Sequence, residues 1–220
     1  WMGLRIKTAD FQKQMQLLKD WGYDVLDIRD VFDKGFLPNR KTVILTFDDG
    51  YKDFIINVLP ILEEFRYPAT IFVTIEYLEG IRKGIVNYWD GWDKMNWQDI
   101  KSIIANKRIT IACHGFSHSR FNRLKYENLF KEIVDSKKIL EFELGKKIDF
   151  LAYPHGIYTK ECFKLLKESG YKAAFVGKPG KIGYSKNVYK IKRTEISRYD
   201  NSSFDFLKKL NGSYDWLGLL

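Results

Sequence analysis

Thr42-Val43-Ile44-Leu45-Thr46-Phe47-Asp48-Asp49-Gly50 is the stretch that decides how this chain is read. Six residues rich in β-branched side chains run directly into two carboxylates and a glycine. The apolar run predicts a strand over 42–47, and the Asp-Asp-Gly end predicts where it stops. Adjacent carboxylates repel each other and are costly to bury, and a cation between them removes that cost. Within a regular strand Asp48 and Asp49 would point to opposite faces. At a strand end that turns through Gly50, both can reach one mouth. A plain turn fits as well, since Asp-Gly is a common turn dipeptide and Asp caps helices. This segment alone leaves both readings open.

On either side of it, short apolar runs alternate with longer amphipathic ones. Thr8 is placed as the cap of a first helix, with Phe11, Met15 and Leu18 on one stripe and Gly22 past its end. Further strands are predicted over 23–28, 69–74, 108–113, 148–153, 172–176 and 188–196. Helices are predicted over 53–65 with a kink at Pro60, from a cap at Asn96 to 106, and over 126–144, 159–169 and 202–210. Such β-α alternation predicts a parallel sheet covered by helices, as a barrel or a doubly wound sheet. In both architectures functional groups gather at the carboxyl ends of strands.

Composition narrows the classes. The 220 residues are 45% hydrophobic and 16% aromatic, which excludes disorder for most of the chain. No apolar run reaches the roughly 18–20 residues that span a bilayer. Cys113 and Cys162 cannot make a disulfide framework or a four-cysteine zinc site; one disulfide between them fits the sequence, and two buried free thiols are the expected reading. The net charge of +9 favours anionic partners such as nucleic acid, membrane surfaces or cell-wall polymers. No block of five like charges appears, which argues against a nucleic-acid tail. The chain opens at Trp1 and shows no signal peptide, so we read it as a fragment or a processed form.

Two more segments fall just past predicted strand ends. Cys113-His114-Gly115-Phe116-Ser117-His118 holds two of the three histidines. Their His-x-x-x-His spacing would put both imidazoles on one side of a helical turn, although such pairs also arise by chance. One carboxylate more makes a His-His-Asp set suited to zinc or another first-row ion with open positions. An aspartate left over could act as a base on water at the metal. The other segment, Leu151-Ala152-Tyr153-Pro154-His155-Gly156, ends in a loop shaped by proline and glycine. There His155 reads as a proton donor, a further ligand or a surface residue.

Together the Thr-Phe-Asp-Asp-Gly segment, the later His-x-x-x-His and the strand ending in Tyr-Pro-x-Gly resemble the polysaccharide deacetylase family, carbohydrate esterase family four. The resemblance spans about Thr42 to Arg198. The opening residues Phe11-Gln12-x-Gln14-Met15 and Leu18-Lys19-x-Trp21-Gly22-Tyr23 are similar to the segment before the core in a branch that acts on exported poly-N-acetylglucosamine. The resemblance implies a distorted (β/α) barrel and metal-dependent removal of N-acetyl groups from an N-acetylglucosamine-containing polysaccharide. It implies Asp48 as general base and Asp49, His114 and His118 as ligands of one divalent ion. Zinc comes first, with cobalt, nickel or iron as alternatives. An extracellular or cell-envelope site of action in a bacterium goes with it, as does a polysaccharide or oligosaccharide partner rather than nucleic acid.

The expected layout is one catalytic domain over 1–220, with a lead-in over 1–40, the core over 41–200 and a C-terminal helix and tail over 201–220. Tyr153, Pro154 and Gly156 are expected at the substrate, with a backbone N–H of their loop helping to hold the oxyanion. Trp89 and Trp92 are expected there too, since flat rings suit sugar faces, whereas Trp97 at a helix start is expected to pack.

The sequence departs from the family pattern twice. Ala152 stands where many members carry an arginine that holds the base. The family's late Leu-x-His segment has no counterpart histidine, and residues 190–198 supply Arg193 and Glu195 instead. The proton donor is therefore open among His155, protonated Asp48 and water at the metal. A catalytically impaired carbohydrate-binding domain on the same fold is the alternative reading.

Overall fold

The structure, a computed structural model, describes residues 5–34, 41–80, 93–182 and 187–215. Strands and helices follow in chain order as α1 (Thr8–Asp20), β1 (Asp24–Val25), α2 (Ile28–Lys34), β2 (Thr42–Val43), β3 (Thr46–Phe47), α3 (Leu59–Phe65), β4 (Ala69–Val73), α4 (Ile75–Leu78), α5 (Trp97–Ile103), β5 (Ile109–Cys113), α6 (Tyr126–Phe130), α7 (Ser136–Leu144), β6 (Phe150–Ala152), α8 (Lys160–Glu168), β7 (Ala173–Phe175) and α9 (Ser203–Leu210). Two π-helical segments, Phe54–Val58 and Lys131–Asp135, lead into α3 and join α6 to α7.

Five strands form one parallel sheet in the order β3-β4-β5-β6-β7, curled into a half-barrel with helices on its outside. The alternation of side chains along each strand divides the core into two layers. Ile71 and Val73 of β4, Ile111 of β5 and Leu151 of β6 face the helices. Phe72, Ala112, Phe150, Ala152 and Phe175 face inward, where Ile28 and Phe32 of α2 close the concave side. Both faces are covered, which is why β4 and β5 read as continuous apolar runs and are buried throughout.

The stretch over 42–47 is two strands rather than one. Thr42 and Val43 pair with β1, whereas Thr46 and Phe47 pair with β4. The chain changes partner between them, and Leu26 N–H still donates to Val43 while Thr70 N–H donates to Leu45. Of the strand predicted over 23–28 only Asp24 and Val25 pair, and Ile28 already begins α2. The strand predicted over 188–196 is also absent. Asn187 caps a 3-10 turn over Val188–Lys190, and Ile191 then makes a lone parallel bridge to Phe175. Thr8 is the first helical residue of α1, and Lys7 takes the cap position. The cap at Asn96 and the ends at Gly22 and Gly145 match the sequence reading, whereas Thr159 and Ser202, expected as first helical residues, stand at the caps of α8 and α9. Trp97 opens α5 and packs on the core, and both cysteines are buried and free. Among the described residues no helix is long and apolar enough to cross a membrane.

Candidate active site

The carboxyl ends of adjacent strands bring the chemistry together. Asp48 and Asp49 follow β3, His114 follows β5, and Tyr153 to Gly156 follow β6. His118 comes from the loop after β5 and not from a helical turn, so the two imidazoles converge by a geometry other than the helical one expected from their spacing. Its φ is +59°, a value no helix allows.

Asp49 is the meeting point. Its Oδ1 lies 3.0 Å from His118 Nε2 and 3.3 Å from His114 Nε2. The three ligand atoms all lie within 4.8 Å of one another. Oδ1 is buried with no partner at hydrogen-bonding geometry, an orphaned oxygen that a cation at this convergence would satisfy. The donor set, two imidazoles and a carboxylate, suits a first-row divalent ion. His114 is also oriented from behind, with Nδ1 2.8 Å from the Ala152 carbonyl. As donor there, Nδ1 leaves Nε2 as the ligand atom. Ala152 thus serves the site through its backbone.

Electrostatics match this geometry. Burial alone would raise the Asp49 carboxyl, but the facing His114 and His118 rings outweigh it and hold it well below the usual carboxylate range. Lys94 sets its Nζ 3.8 Å from Asp49 Oδ2 and 3.1 Å from the centre of the Tyr51 ring. Neither Lys94 nor this aromatic seat was visible as a signal in the sequence.

Asp48 sits beside this cluster, half-buried, and meets Arg193 in a fork. Arg193 donates from both terminal nitrogens to the two carboxylate oxygens, each at 2.7 Å. Burial would raise the Asp48 carboxyl, but the charges of Arg193 and His114 outweigh it and keep the group below its ordinary value. In the sequence Arg193 stands out only as a residue of the 190–198 segment that lacks the family's late histidine. Its position opposite Asp48 depends on the bridge at Ile191 and on Arg193 N–H donating to Lys178.

His155 faces the ligand pair, its ring 4.7 Å from that of His118. Burial and the nearby His118 and Arg120 charges lower its imidazole. Asp49, His118 and His155 all have positive φ, with Arg66 at the end of α3 the only other such non-glycine among the described residues. Backbone strain of this kind concentrates at functional sites. Gly156 has φ +69°, and a Cβ there would come within 2.4 Å of Gly177 N, so only glycine fits the close approach.

The expectation for Tyr153 is corrected. Its side chain is 0% exposed and its hydroxyl donates to the Tyr189 carbonyl at 3.0 Å, so the ring packs in the core and not on a substrate. Pro154 is buried as well. Nor do the N–H groups of Tyr153, Gly156 and Ile157 offer themselves to an oxyanion, because each donates to a backbone carbonyl at 2.8–3.2 Å. Trp89 and Trp92 lie outside the described residues. A cavity of about 1220 Å³ opens at the site, lined by Asp48, Asp49, His114, His118, His155 and Gly156 among others.

Comparison with known proteins bears on the fold and the family. The chain is 27% identical over 197 residues to YxkH of Bacillus subtilis (strain 168), covering 88% of this chain and 66% of that protein. It is 23% identical over 221 residues to the poly-β-1,6-N-acetyl-D-glucosamine N-deacetylase of Staphylococcus aureus (strain MSSA476), covering 96% and 73%. The solved structure of the Streptococcus pyogenes deacetylase PplD in complex with acetate superposes with a TM-score of 0.82 at 24% identity, over 94% of this chain and 88% of that one. That likeness fits the half-barrel described above, a distorted (β/α) barrel of the deacetylase type. The family model for polysaccharide deacetylase matches residues 37–174, and the chain belongs to that family.

Proposed function

We propose that this chain is a metal-dependent hydrolase that removes N-acetyl groups from an N-acetylglucosamine-containing polysaccharide. The observation that carries the reading is the convergence of Asp49, His114 and His118 on one point, with the arginine-held Asp48 beside it. Family membership supports the same reaction, as does the name of the Staphylococcus aureus relative. The three ligands would hold a divalent ion, zinc first. When bound, the ion supplies Lewis-acid polarisation of the amide carbonyl and a lowered pKa for water.

The chain's own groups do the rest. Asp48, kept ionised by Arg193, takes the proton from the attacking water. The amide C–N bond then breaks, and the departing sugar amine needs a proton. His155 is the candidate donor, because it is the one imidazole not spent on the ligand set and its ring borders that set. Of the predicted sugar contacts, Gly156 lines the cavity. We take the whole of 1–220 as one catalytic domain, and place its action outside the cell or at the envelope of a bacterium, where such polymers lie.

The absence of a late histidine favours a second reading, a catalytically impaired carbohydrate-binding domain on the same fold. Metal analysis with acetate release from N-acetylglucosamine oligomers separates the two. The enzyme reading expects one divalent ion per chain and acetate release, both lost in His114→Ala. Metal and sugar binding without acetate release would establish the binding domain instead.

A further inference from the structure

The loop that carries His118 is gripped by a residue outside the ligand set. Glu132 lies on the π-helical segment Lys131–Asp135 and is only 4% exposed. Its Oε2 accepts the Phe116 N–H at 2.7 Å, and both its oxygens accept the Ser117 N–H at 3.1 Å. Ser117 Oγ donates to Oε1 as well. The opposite edge of the loop is held as firmly. The carbonyls of His114, Gly115 and Phe116 accept from Thr74 Oγ1, Ile75 N–H and Glu76 N–H at 3.3, 3.3 and 2.9 Å. Gly115 N–H points to Cys113 Sγ at 3.3 Å. Every backbone donor from Gly115 to Ser117 is therefore matched.

Glu132 makes no ion pair among the described residues, so its carboxylate is balanced by these donors alone. That is an expensive group to bury for mere packing. Glu132 reaches the loop from within a π-helical segment, a feature that is rare and frequent at functional sites. Ser136, one turn on, returns its hydroxyl to the Glu132 carbonyl and touches Cys113 Sγ. Gly115 is matched to this grip. It has φ +84°, and a Cβ there would stand 2.5 Å from Glu132 Oε2.

We propose that Glu132 is a positioning residue for the metal centre: its buried carboxylate fixes Gly115 to Ser117 so that His118, at its strained φ, presents Nε2 to Asp49 and His114. The inference rests on the metal reading above and adds to it a residue that touches no ligand atom. Glutamine at 132 keeps the shape but sets an amide NH₂ against loop N–H donors, so the grip is weakened without opening a cavity.

The test is Co²⁺ binding to the metal-free parent and to Glu132→Gln, followed by titration and by the visible spectrum of the bound ion, with circular dichroism of both. Outer contacts of this kind are worth roughly 10–100-fold in metal affinity. The expected result is a loss of that order, with an altered spectrum and an unchanged dichroism. Equal affinity and an identical spectrum would overturn the proposal while leaving the metal reading intact. A parent that binds no Co²⁺ would overturn both. If Glu132→Gln does not fold, Ser117→Ala removes one donor to the carboxylate. A smaller loss of affinity is then expected, and unchanged affinity and spectrum would count against the grip.

Discussion

Arg193 and Asp48 are 145 positions apart in the chain and share two parallel hydrogen bonds of 2.7 Å. A guanidinium fork on a carboxylate fixes its plane as well as its charge. Each Asp48 oxygen thus accepts from Arg193, and Asp48 and Asp49 both line the cavity. The departure from the family pattern at Ala152 is answered by an arginine that arrives from a different part of the fold.

Replacing that arginine tests the arrangement. Arg193→Ala is expected to lower kcat by about 10²-fold, since small displacements of a reacting group cost that much. Arg193→Lys keeps the charge but loses the fork, and is expected to recover only part of the rate. Equal kcat in all three proteins would show that Asp48 needs no partner.

Asp48→Asn should leave metal content close to that of the parent, because Asp48 is not among the converging ligands. Turnover should fall by roughly 10²–10⁴-fold if proton transfer is its task. Acetate release at the parental rate would place the base elsewhere.

His155→Phe keeps an aromatic ring against His118 and removes the proton. We expect a lower kcat and the disappearance of the alkaline limb of the pH–rate profile. Should that limb persist unchanged, the amine takes its proton from another group, Asp48 being the simplest.

Away from the site, Glu141 offers a pH test of stability. Burial would raise its carboxyl, but Lys137 at 2.8 Å and the Ile148 N–H at 2.9 Å hold it below the ordinary value. A carboxyl lowered on folding contributes stability above its unfolded pKa of about 4.3, and that contribution fades as pH falls through the folded value. Thermal melts should therefore find Glu141→Gln less stable than the parent near neutrality, with the gap closing below about pH 4. A gap that is constant with pH would mean that the pair contributes through packing alone.

Local chemistry made much of this protein legible without coordinates. The β-branched runs at 69–73 and 109–113, the cap at Asn96 and the Asp-Asp-Gly end of a strand are all local preferences, and the fold honours them. Asp49, His114 and His118 were found as types at strand ends, where a parallel sheet collects functional groups. What the sequence could not show depends on contacts between distant segments. Residues 42–47 exchange one strand partner for another, a property of pairing and not of composition. Tyr153 looked like a substrate contact beside a proline loop, yet it is buried against Phe121, Tyr158 and the Tyr189 carbonyl, because which face of a strand end is covered depends on what packs there. Arg193 meets Asp48 beyond a lone bridge at Ile191, and Glu132 reaches the Phe116–Ser117 loop from the π-helical Lys131–Asp135, and neither device leaves a mark in residue type or spacing.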